Sequence, residues 1–516
     1  MPQDAFRTAG DRRNRLSYQH WRPARAVRKI FIALFFAGFF FYCAGFGLRT
    51  QFGYDDVMNI DFAWEPPLKN LALALVNPFT TFYRPVGSLV YRIVFDLFGL
   101  NPLPFRVVVY GFLLLNLFLV YKLALRLSGS GEIAAMSALL YTFHGRLAAI
   151  YLNNGTIYDV LCATFTFLTL LYYVGVRQAG QRIRRWAWLK LLALFICALN
   201  AKEMAAAIPL LLLIYEWLYH RPASKRPAAL LRFLFGEGLP GLVCGALTLL
   251  AARSRVGDGG PMHANVYYAV TFSAGQFLEH SRELMSGLLY RHKPGLSTGQ
   301  MLSVWLVAIA IAALARKKFF WFFVCFALLA PLPVIFIPYR GFFVMYLPFA
   351  GWAMFLATLL VGGRNLLWKH LWKRPPLPPN AFEPERVFLF LMVAYLVLSI
   401  PRRDSASELG FRDPAHAAIR AMQDDIVALN EPLPPGSKLL FLHDRLPPDA
   451  WGTLMMSRQL YRDRTLWVDR PTMMNQAPNL SDYDRVFDYV DGKLKVVGGK
   501  AGAFSLPPSG TMLRPR

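Results

Sequence analysis

Apolar runs long enough to cross a lipid bilayer recur along almost the whole chain. Of its 516 residues, 55% are hydrophobic and only 17% are charged, whereas soluble globular proteins carry about a quarter charged residues. The sequence therefore predicts an all-α polytopic membrane protein, because roughly 17–25 apolar residues in a helix span the hydrocarbon core. About eleven spanning runs are predicted, near residues 30–48, 104–122, 133–151, 158–176, 187–200, 203–219, 234–252, 301–315, 319–337, 341–361 and 386–400.

Lysine and arginine are unevenly distributed between the two sides of these runs. The connectors on the side of the N-terminus hold about half of the 56 Lys and Arg residues, and those on the opposite side before residue 401 hold about a quarter. The side richer in positive charge normally faces the cytoplasm. The N-terminus is therefore predicted to be cytoplasmic, and the C-terminal tail to be periplasmic or extracellular.

A net charge of +25 suggests nucleic acid as one class of partner, but the placement of the charge argues against it. The tail is nearly balanced, and the excess lies in the connectors, where the positive-inside rule accounts for it. We therefore expect membrane lipid, and no nucleic acid, as a partner. The five cysteines all fall in apolar segments and show no disulfide or zinc spacing.

Composition divides the chain into three predicted regions. These are a basic cytoplasmic segment (1–29), a transmembrane catalytic region (30–400) and a small non-cytoplasmic α/β domain (401–516). Two long external loops, 49–103 and 253–300, contain semi-apolar stretches that are typical of helices lying at the membrane interface. The second loop is Gly-rich at 257–260, and residues 362–385 form a Pro-rich, basic internal linker.

Helical and strand patterns alternate in the tail. The apolar run after Pro-Pro-Gly indicates a buried strand, and the turn at Asp491-Gly492 indicates a hairpin. Together they predict a small α/β fold. The predicted elements are helices at 413–430 and 449–461, strands at 438–443 and 465–468, and a hairpin over 484–497.

Asp55 and Asp56 are the most informative polar residues. They follow the first apolar run directly, at a membrane edge where carboxylates are costly to hold. One interpretation is a helix cap or ordinary loop acidity. The other is a general base that removes a proton from an acceptor hydroxyl while that hydroxyl attacks an anomeric carbon. A like-charged neighbour and partial burial would raise one pKa and strengthen such a base.

Cations on the same predicted side could bind a phosphate leaving group. Arg84 and Arg92 would share one helical face if 82–95 were helical, and Lys202 and Arg340 lie in very short external turns. Negative charge that develops on phosphate oxygens needs such donors. The alternative for each cation is a side chain that reaches the lipid headgroups.

Asp159 lies at the external start of the fourth run. It could be a helix-terminal acid favoured by the helix dipole. It could instead hold a phosphate-binding cation or ligate a divalent metal, so metal dependence stays open. His144, which lies close to the same edge, is more often structural in such a position.

Taken together and in order, these motifs resemble the GT-C superfamily of membrane glycosyltransferases. Protein O-mannosyltransferases and the lipid A aminoarabinose transferases belong to this group. The resemblance covers roughly residues 30–360. The matching motifs are Tyr54-Asp55-Asp56, Tyr83-Arg84-Pro85, Gly99-Leu100-Asn101-Pro102, Lys202-Glu203-Met204, and Tyr339-Arg340 before Tyr346-Leu347-Pro348.

The resemblance implies an inverting transferase that moves a monosaccharide from a polyprenyl-phosphate carrier to an acceptor hydroxyl on the non-cytoplasmic face. It places the catalytic base at Asp55, with Asp56 as the rival. It also implies substrate binding by Arg84, Asp159, Lys202, Tyr339 and Arg340, and a bacterial inner membrane as the location. The acceptor could be protein, lipid or glycan. The alternative function is a transporter or flippase of lipid-linked sugars.

Overall fold

The computed structural model describes residues 30–500, apart from residues 182, 225, 257–268, 292–293, 372–383, 405–413, 448–450 and 475. The predicted basic segment 1–29 and the Gly-rich stretch 257–260 lie outside the described residues. Residues 372–383, half of the linker predicted at 362–385, lie outside them as well.

Helices dominate the described part of the membrane region, in which no β-strand occurs. They are, in chain order, α1 (Ile30–Arg49), α2 (Tyr54–Trp64), α3 (Leu68–Val76), α4 (Pro85–Phe98), α5 (Pro102–Ser128), α6 (Gly131–Thr142), α7 (Ala148–Leu152), α8 (Ile157–Gln178), α9 (Arg185–Ala201), α10 (Ile208–His220), α11 (Pro227–Phe235), α12 (Leu239–Val256), α13 (Ala274–Leu288), α14 (Thr298–Ala315), α15 (Lys318–Leu329), α16 (Leu332–Ile335), α17 (Tyr346–Leu371) and α18 (Pro384–Asp404).

Seven helical segments in the described part of the chain are long and apolar enough to cross a membrane. They contain α1, α5, α8, α12, α14, α15 and α17. The run predicted at 133–151 is a helix pair, α6 and α7, bent by 58°. The runs predicted at 187–200, 203–219 and 386–400 fall on α9, α10 and α18, which are shorter in their apolar part. The structure therefore confirms the prediction of a helical polytopic membrane protein.

The first external loop folds into three short helices, α2, α3 and α4. The chain interrupts the semi-apolar stretch after α3, where Asn77 is extended with φ −93° and ψ 109°. The conditional prediction of a helix over 82–95 is wrong at its start, because α4 begins at Pro85. Arg84 has a left-handed backbone with φ 46°, consistent with the rule that a residue before proline avoids the right-handed helical region. Arg84 and Arg92 therefore do not share a helical face.

Four short 3-10 turns lead into helices on the side predicted to be external. They precede α7, α8, α10 and α17, respectively. Short 3-10 turns are common at helix N-termini. The turns comprise residues Gly145–Leu147, Asn154–Thr156, Glu203–Ala207 and Phe342–Met345.

The tail has the predicted α/β fold. Helix α19 precedes a four-stranded sheet of order β2-β1-β3-β4, in which β1 runs parallel to β2 and β3 while β3 and β4 are antiparallel. Helix α20 connects the parallel strands β1 and β2, as such a pairing requires. The boundary predicted at residue 400 stays a prediction. The elements are α19 (Pro414–Leu429), β1 (Lys438–Phe441), α20 (Gly452–Tyr461), β2 (Trp467–Asp469), β3 (Arg485–Val490) and β4 (Lys493–Gly498).

The β3–β4 hairpin turns at Asp491 and Gly492, as the sequence predicts. Both residues have positive φ, 55° and 72°, which the tight two-residue hairpin turn needs to match the strand twist. Leu440 of β1 and Val486 of β3 are fully buried and pack with Tyr483 into a small core. The tail thus has apolar packing of its own.

Candidate active site

Helix α2 carries the two aspartates in its first turn. Gly53 precedes the helix with an extended backbone, and its N–H donates to Asp56 Oδ2 at 2.9 Å. Acidic side chains in a first turn are favoured by the helix dipole. Successive helical residues point about 100° apart, so that Asp55 is exposed while Asp56 is completely buried.

Asp56 belongs to a buried polar network. The Tyr91 hydroxyl on α4 donates to its Oδ1 at 3.2 Å, and the buried guanidinium of Arg106 on α5 attracts the carboxylate. Burial raises the pKa of Asp56 above its ordinary value, and Arg106 opposes that rise. Asp56 is therefore held in place by neighbours on two helices.

Asp55, by contrast, has no hydrogen-bond partner among the residues that the structure describes. Its Cβ lies 3.4 Å from the point that a Cβ on Gly155 would occupy, in the 3-10 turn that precedes α8. An exposed carboxylate with both oxygens unoccupied is available to a substrate. The two adjacent aspartates thus have different surroundings.

Arg106 was missed as a site residue, although the sequence carried a signal for it. It is a charged residue inside the run predicted at 104–122, and an ionisable side chain in a spanning segment is a functional candidate by default. It is completely buried, and its Nε and Nη1 have no hydrogen-bond partner among the described residues. Its remaining Nη2 donates to the Gln51 carbonyl at 3.3 Å.

Tyr158, the second residue of α8, joins the two halves of the site. Its hydroxyl donates to Asn59 Oδ1 on α2 at 3.1 Å, and its ring lies 6.1 Å from the ring of Tyr91. The guanidinium of Arg84 lies over the same ring, 5.3 Å from the centroid. Packed aromatic rings therefore link the aspartates to the cations.

Arg84 pairs with Glu203, which the sequence analysis named only within the Lys202-Glu203-Met204 motif. Its Nε and Nη2 donate to the two carboxylate oxygens of Glu203 at 3.2 and 2.9 Å. Such a two-point pair is the strong form of an ionic hydrogen bond. The residues are 119 positions apart in the chain. Arg255 of α12 is buried and electrostatically coupled to this pair.

Lys202 and Asp159 form a second buried ion pair. The Lys202 Nζ donates to both carboxylate oxygens of Asp159, at 2.6 and 2.7 Å, and the side chains are only 8% and 5% exposed. The ammonium also lies 5.0 Å from the centre of the Phe343 ring. An ammonium has three N–H groups, so one remains for a ligand.

Tyr339 and Arg340 lie between α16 and α17. The Tyr339 side chain is 45% exposed, and its ring centre is 6.0 Å from that of His280. Arg340 is half-buried and precedes Phe343, the Lys202 neighbour, by three residues. This places Arg340 on the segment that leads to the Lys202 pair.

Two other candidate residues have structural partners. Arg92 pairs with Asp96 at 2.6 Å, one turn along α4. His144 Nε2–H donates to the Leu288 carbonyl at 3.1 Å, and the ring stacks on Tyr290 with ring centres 4.2 Å apart. Their surroundings favour the structural interpretation of both.

The residues around Asp159 do not fit a metal centre. Both oxygens of its carboxylate are engaged by the Lys202 ammonium, and a cation in that position repels a metal ion. No group of three or more His, Cys, Asp or Glu side chains arranged to hold a metal occurs in the described part of the chain. We therefore derive no chemical step through a metal.

The tail contacts the helix that carries the aspartates. On α20, Gln459 Nε2 donates to the Val57 carbonyl of α2 at 2.7 Å. The Tyr54 hydroxyl accepts from the Trp451 N–H at 2.9 Å. Helix α2 is thus held by contacts with the tail as well as with α4 and α8. Sequence spacing gave no signal for these contacts.

Gly87 of α4 allows the close approach of Tyr158. A Cβ at this position would lie 2.3 Å from two ring carbons of Tyr158, whose ring is buried and has little room to move. We expect Gly87→Ala to destabilise the protein by about 1–3 kcal/mol, as overpacking does, and to lower its thermal midpoint in detergent. Gly111→Ala on α5 is the matched control, because its Cβ would meet open space. Equal thermal midpoints for Gly87→Ala and Gly111→Ala would contradict the close packing of Tyr158 against Gly87.

Asp61, on the buried side of α2, is expected to make stability depend on pH. Burial raises the pKa of Asp61 from 3.8 to about 6, with the charge of Arg458 opposing the rise. Between these two values the folded state binds more protons than the unfolded state, so stability falls as pH rises through this window. At neutral pH the burial of this charge costs about 3 kcal/mol.

Asp61→Asn is therefore expected to raise the thermal midpoint at pH 7.5 and to leave it unchanged at pH 4. The measurement is a melting series from pH 4 to pH 7.5 on the purified protein. Asp491→Asn, in the exposed turn of the β3–β4 hairpin, serves as the control. A gain that is the same at every pH would refute the assignment to the titration of Asp61.

Comparison with known proteins gives matches only among solved structures. No family model and no curated protein sequence matches the chain. ArnT from Cupriavidus metallidurans in the apo state is similar at 15% identity and a TM-score of 0.49, covering 84% of this chain and 85% of that one. The same protein bound to undecaprenyl phosphate gives 16% identity and a TM-score of 0.48, with 87% and 90% covered.

Proposed function

We propose that the chain is an inverting glycosyltransferase that uses a polyprenyl-phosphate-linked monosaccharide and an acceptor hydroxyl. The observation that carries the proposal is the contrast between Asp55, which is exposed and has no hydrogen-bond partner among the described residues, and Asp56, which is buried and hydrogen-bonded. The sequence resemblance to GT-C transferases supports the same reading. The reaction takes place on the non-cytoplasmic side, where the charge pattern puts α2.

Asp55 is the general base. It accepts the proton of the acceptor hydroxyl as the oxygen attacks the anomeric carbon, and the bond from that carbon to the carrier phosphate breaks. Asp56 does not approach the substrate and instead fixes the first turn of α2 through Gly53 and Tyr91. One accessible carboxylate suits inversion, since retention through a covalent intermediate uses a second carboxylate as nucleophile.

Lys202 and Arg84 stabilise the phosphate of the carrier as negative charge develops on it. Each cation is already balanced by a carboxylate, Asp159 for Lys202 and Glu203 for Arg84. Arg255 adds one further positive charge to this cluster. The cluster therefore has one more cation than anions, which favours a phosphate over a neutral ligand. Arg340 and Tyr339 approach the carrier from the segment before α17.

One experiment distinguishes the proposed transferase from the alternative function, a flippase. Membranes that contain the protein are incubated with undecaprenyl-phosphate monosaccharides labelled in the sugar. We expect label to leave the carrier and appear in an acceptor fraction, and its extraction behaviour identifies that acceptor as protein, lipid or glycan. Label that stays on the carrier but changes leaflet would replace the transferase with a transporter. We also propose that the protein lies in a bacterial inner membrane, and sugar transfer by bacterial membranes would support that location.

A further inference from the structure

One face of α19 lies along the loop that leads into helix α2. Its residues His416, Arg420 and Gln423 are spaced four and three positions apart, so that they share a side of the helix. Arg420 Nη1 donates to Gln51 Oε1 at 3.2 Å, and Gln423 Nε2 donates to the Leu100 carbonyl at 3.1 Å. His416 contacts Gly53, which lies two residues before Asp55.

The imidazole of His416 occupies the space where a side chain on Gly53 would be. Its Nε2 lies 2.8 Å from the position of a Cβ on Gly53. Asp56 Oδ2 lies 3.9 Å from the same point, and it accepts the Gly53 N–H. The imidazole and the carboxylate therefore both lie close to Gly53.

The backbone conformation at residue 53 does not explain why this residue is a glycine. Gly53 has φ −92° and ψ 176°, an extended conformation that any residue adopts. The only described feature that would collide with a side chain there is the His416 imidazole, since contact with Asp56 at 3.9 Å is ordinary. The loop is thus shaped to admit this histidine.

Both ring nitrogens of His416 lack a hydrogen bond to any residue that the structure describes, although the side chain is half-buried. A neutral imidazole offers one donor and one acceptor, which is the combination that binds a hydroxyl group. The imidazole contacts Gly53, two residues before the exposed Asp55, so that a ligand it binds would lie close to that carboxylate.

We propose that His416 is an acceptor-binding residue, which hydrogen-bonds the acceptor and orients its hydroxyl beside Asp55. The inference rests on the proposed transferase function. The tail contacts α2 through Tyr54 and Val57, whereas α4, which follows Arg84, and α8, which carries the Lys202 partner Asp159, contact α2 through Asp56 and Asn59. His416 therefore lies on the acceptor side of α2.

The test measures sugar transfer by purified protein at fixed labelled undecaprenyl-phosphate sugar, with the total lipid and protein extract of the source membranes titrated as the acceptor. We expect His416→Ala to raise the half-saturating extract concentration at least tenfold and to leave the half-saturating donor concentration within twofold. His416→Gln retains a donor and an acceptor and should recover part of the loss. Gln423→Ala is the matched control on the same helix face and should match the wild type.

Gly53→Ala provides an independent variant, because its methyl group pushes the imidazole aside. It should raise the acceptor requirement as His416→Ala does, and the double variant should be no worse than either single variant, as for two changes that remove one interaction. Multiplicative losses, or an unchanged acceptor requirement in His416→Ala, would overturn the inference and leave the transferase standing. A wild type that transfers no sugar would overturn both.

Discussion

Asp55→Asn is expected to reduce sugar transfer by at least about 100-fold, the range in which a general base contributes. The amide has nearly the same shape as the carboxylate, but it cannot accept the proton of the acceptor hydroxyl. Asp55 is exposed and has no described hydrogen-bond partner, so that the substitution removes no contact that holds the fold. The measurement is the initial rate of transfer, with the thermal midpoint of the same preparation as the check on folding.

The control for this variant is Glu65→Gln, which removes an exposed carboxylate at the other end of α2. It should transfer sugar at the wild-type rate. If Asp55→Asn also keeps the wild-type rate, Asp55 is not the base. If only Asp56→Asn loses activity with an unchanged midpoint, the role of base belongs to Asp56 instead.

Lys202→Met is expected to have the largest effect on stability as well as on turnover. The substitution leaves the carboxylate of Asp159 buried without its cation, and such a loss typically costs about 3–5 kcal/mol. It also removes the N–H that we assign to the carrier phosphate. Adding Asp159→Asn removes the unpaired charge, so that the double variant should regain most of the thermal midpoint while transfer stays absent.

The matched control is Lys495→Met, which breaks an exposed pair with Asp491 in the β3–β4 hairpin. It should change neither the midpoint nor transfer, because exposed pairs contribute little. Recovery of transfer together with stability in the Lys202→Met/Asp159→Asn variant would show that the pair is structural only. An unchanged thermal midpoint for Lys202→Met alone would show that burial of the Asp159 carboxylate does not require the Lys202 ammonium.

The membrane helices could be predicted because hydropathy is a local property. Each spanning run satisfies its own backbone hydrogen bonds, so that length and composition decide it. The tail was predictable for a related reason: the apolar run at Lys438–Phe441 and the Asp491-Gly492 turn are local signals for a strand and a hairpin. The candidate residues at 55, 159 and 202 followed from charges at the ends of apolar runs.

The partners of these residues could not be predicted, because no local signal specifies which distant elements meet. Glu203 lies 119 positions from Arg84, and Gln459 lies 402 positions from Val57. Arg84 has a left-handed backbone before Pro85 and pairs with Glu203, whereas helical periodicity alone pointed to a helix that includes it. His416 gave no signal in the sequence, because its role follows from its contact with Gly53, which is distant in the chain.

The configuration of the transferred sugar tests the central claim most directly. Purified protein is given an undecaprenyl-phosphate sugar labelled with ¹³C at the anomeric carbon, and NMR of the product reports both the new bond and its stereochemistry. We predict a new glycosidic bond of inverted configuration in the wild type and none with Asp55→Asn. A product of retained configuration would contradict the single-base mechanism, and label that remains bonded to phosphate would contradict the transferase itself.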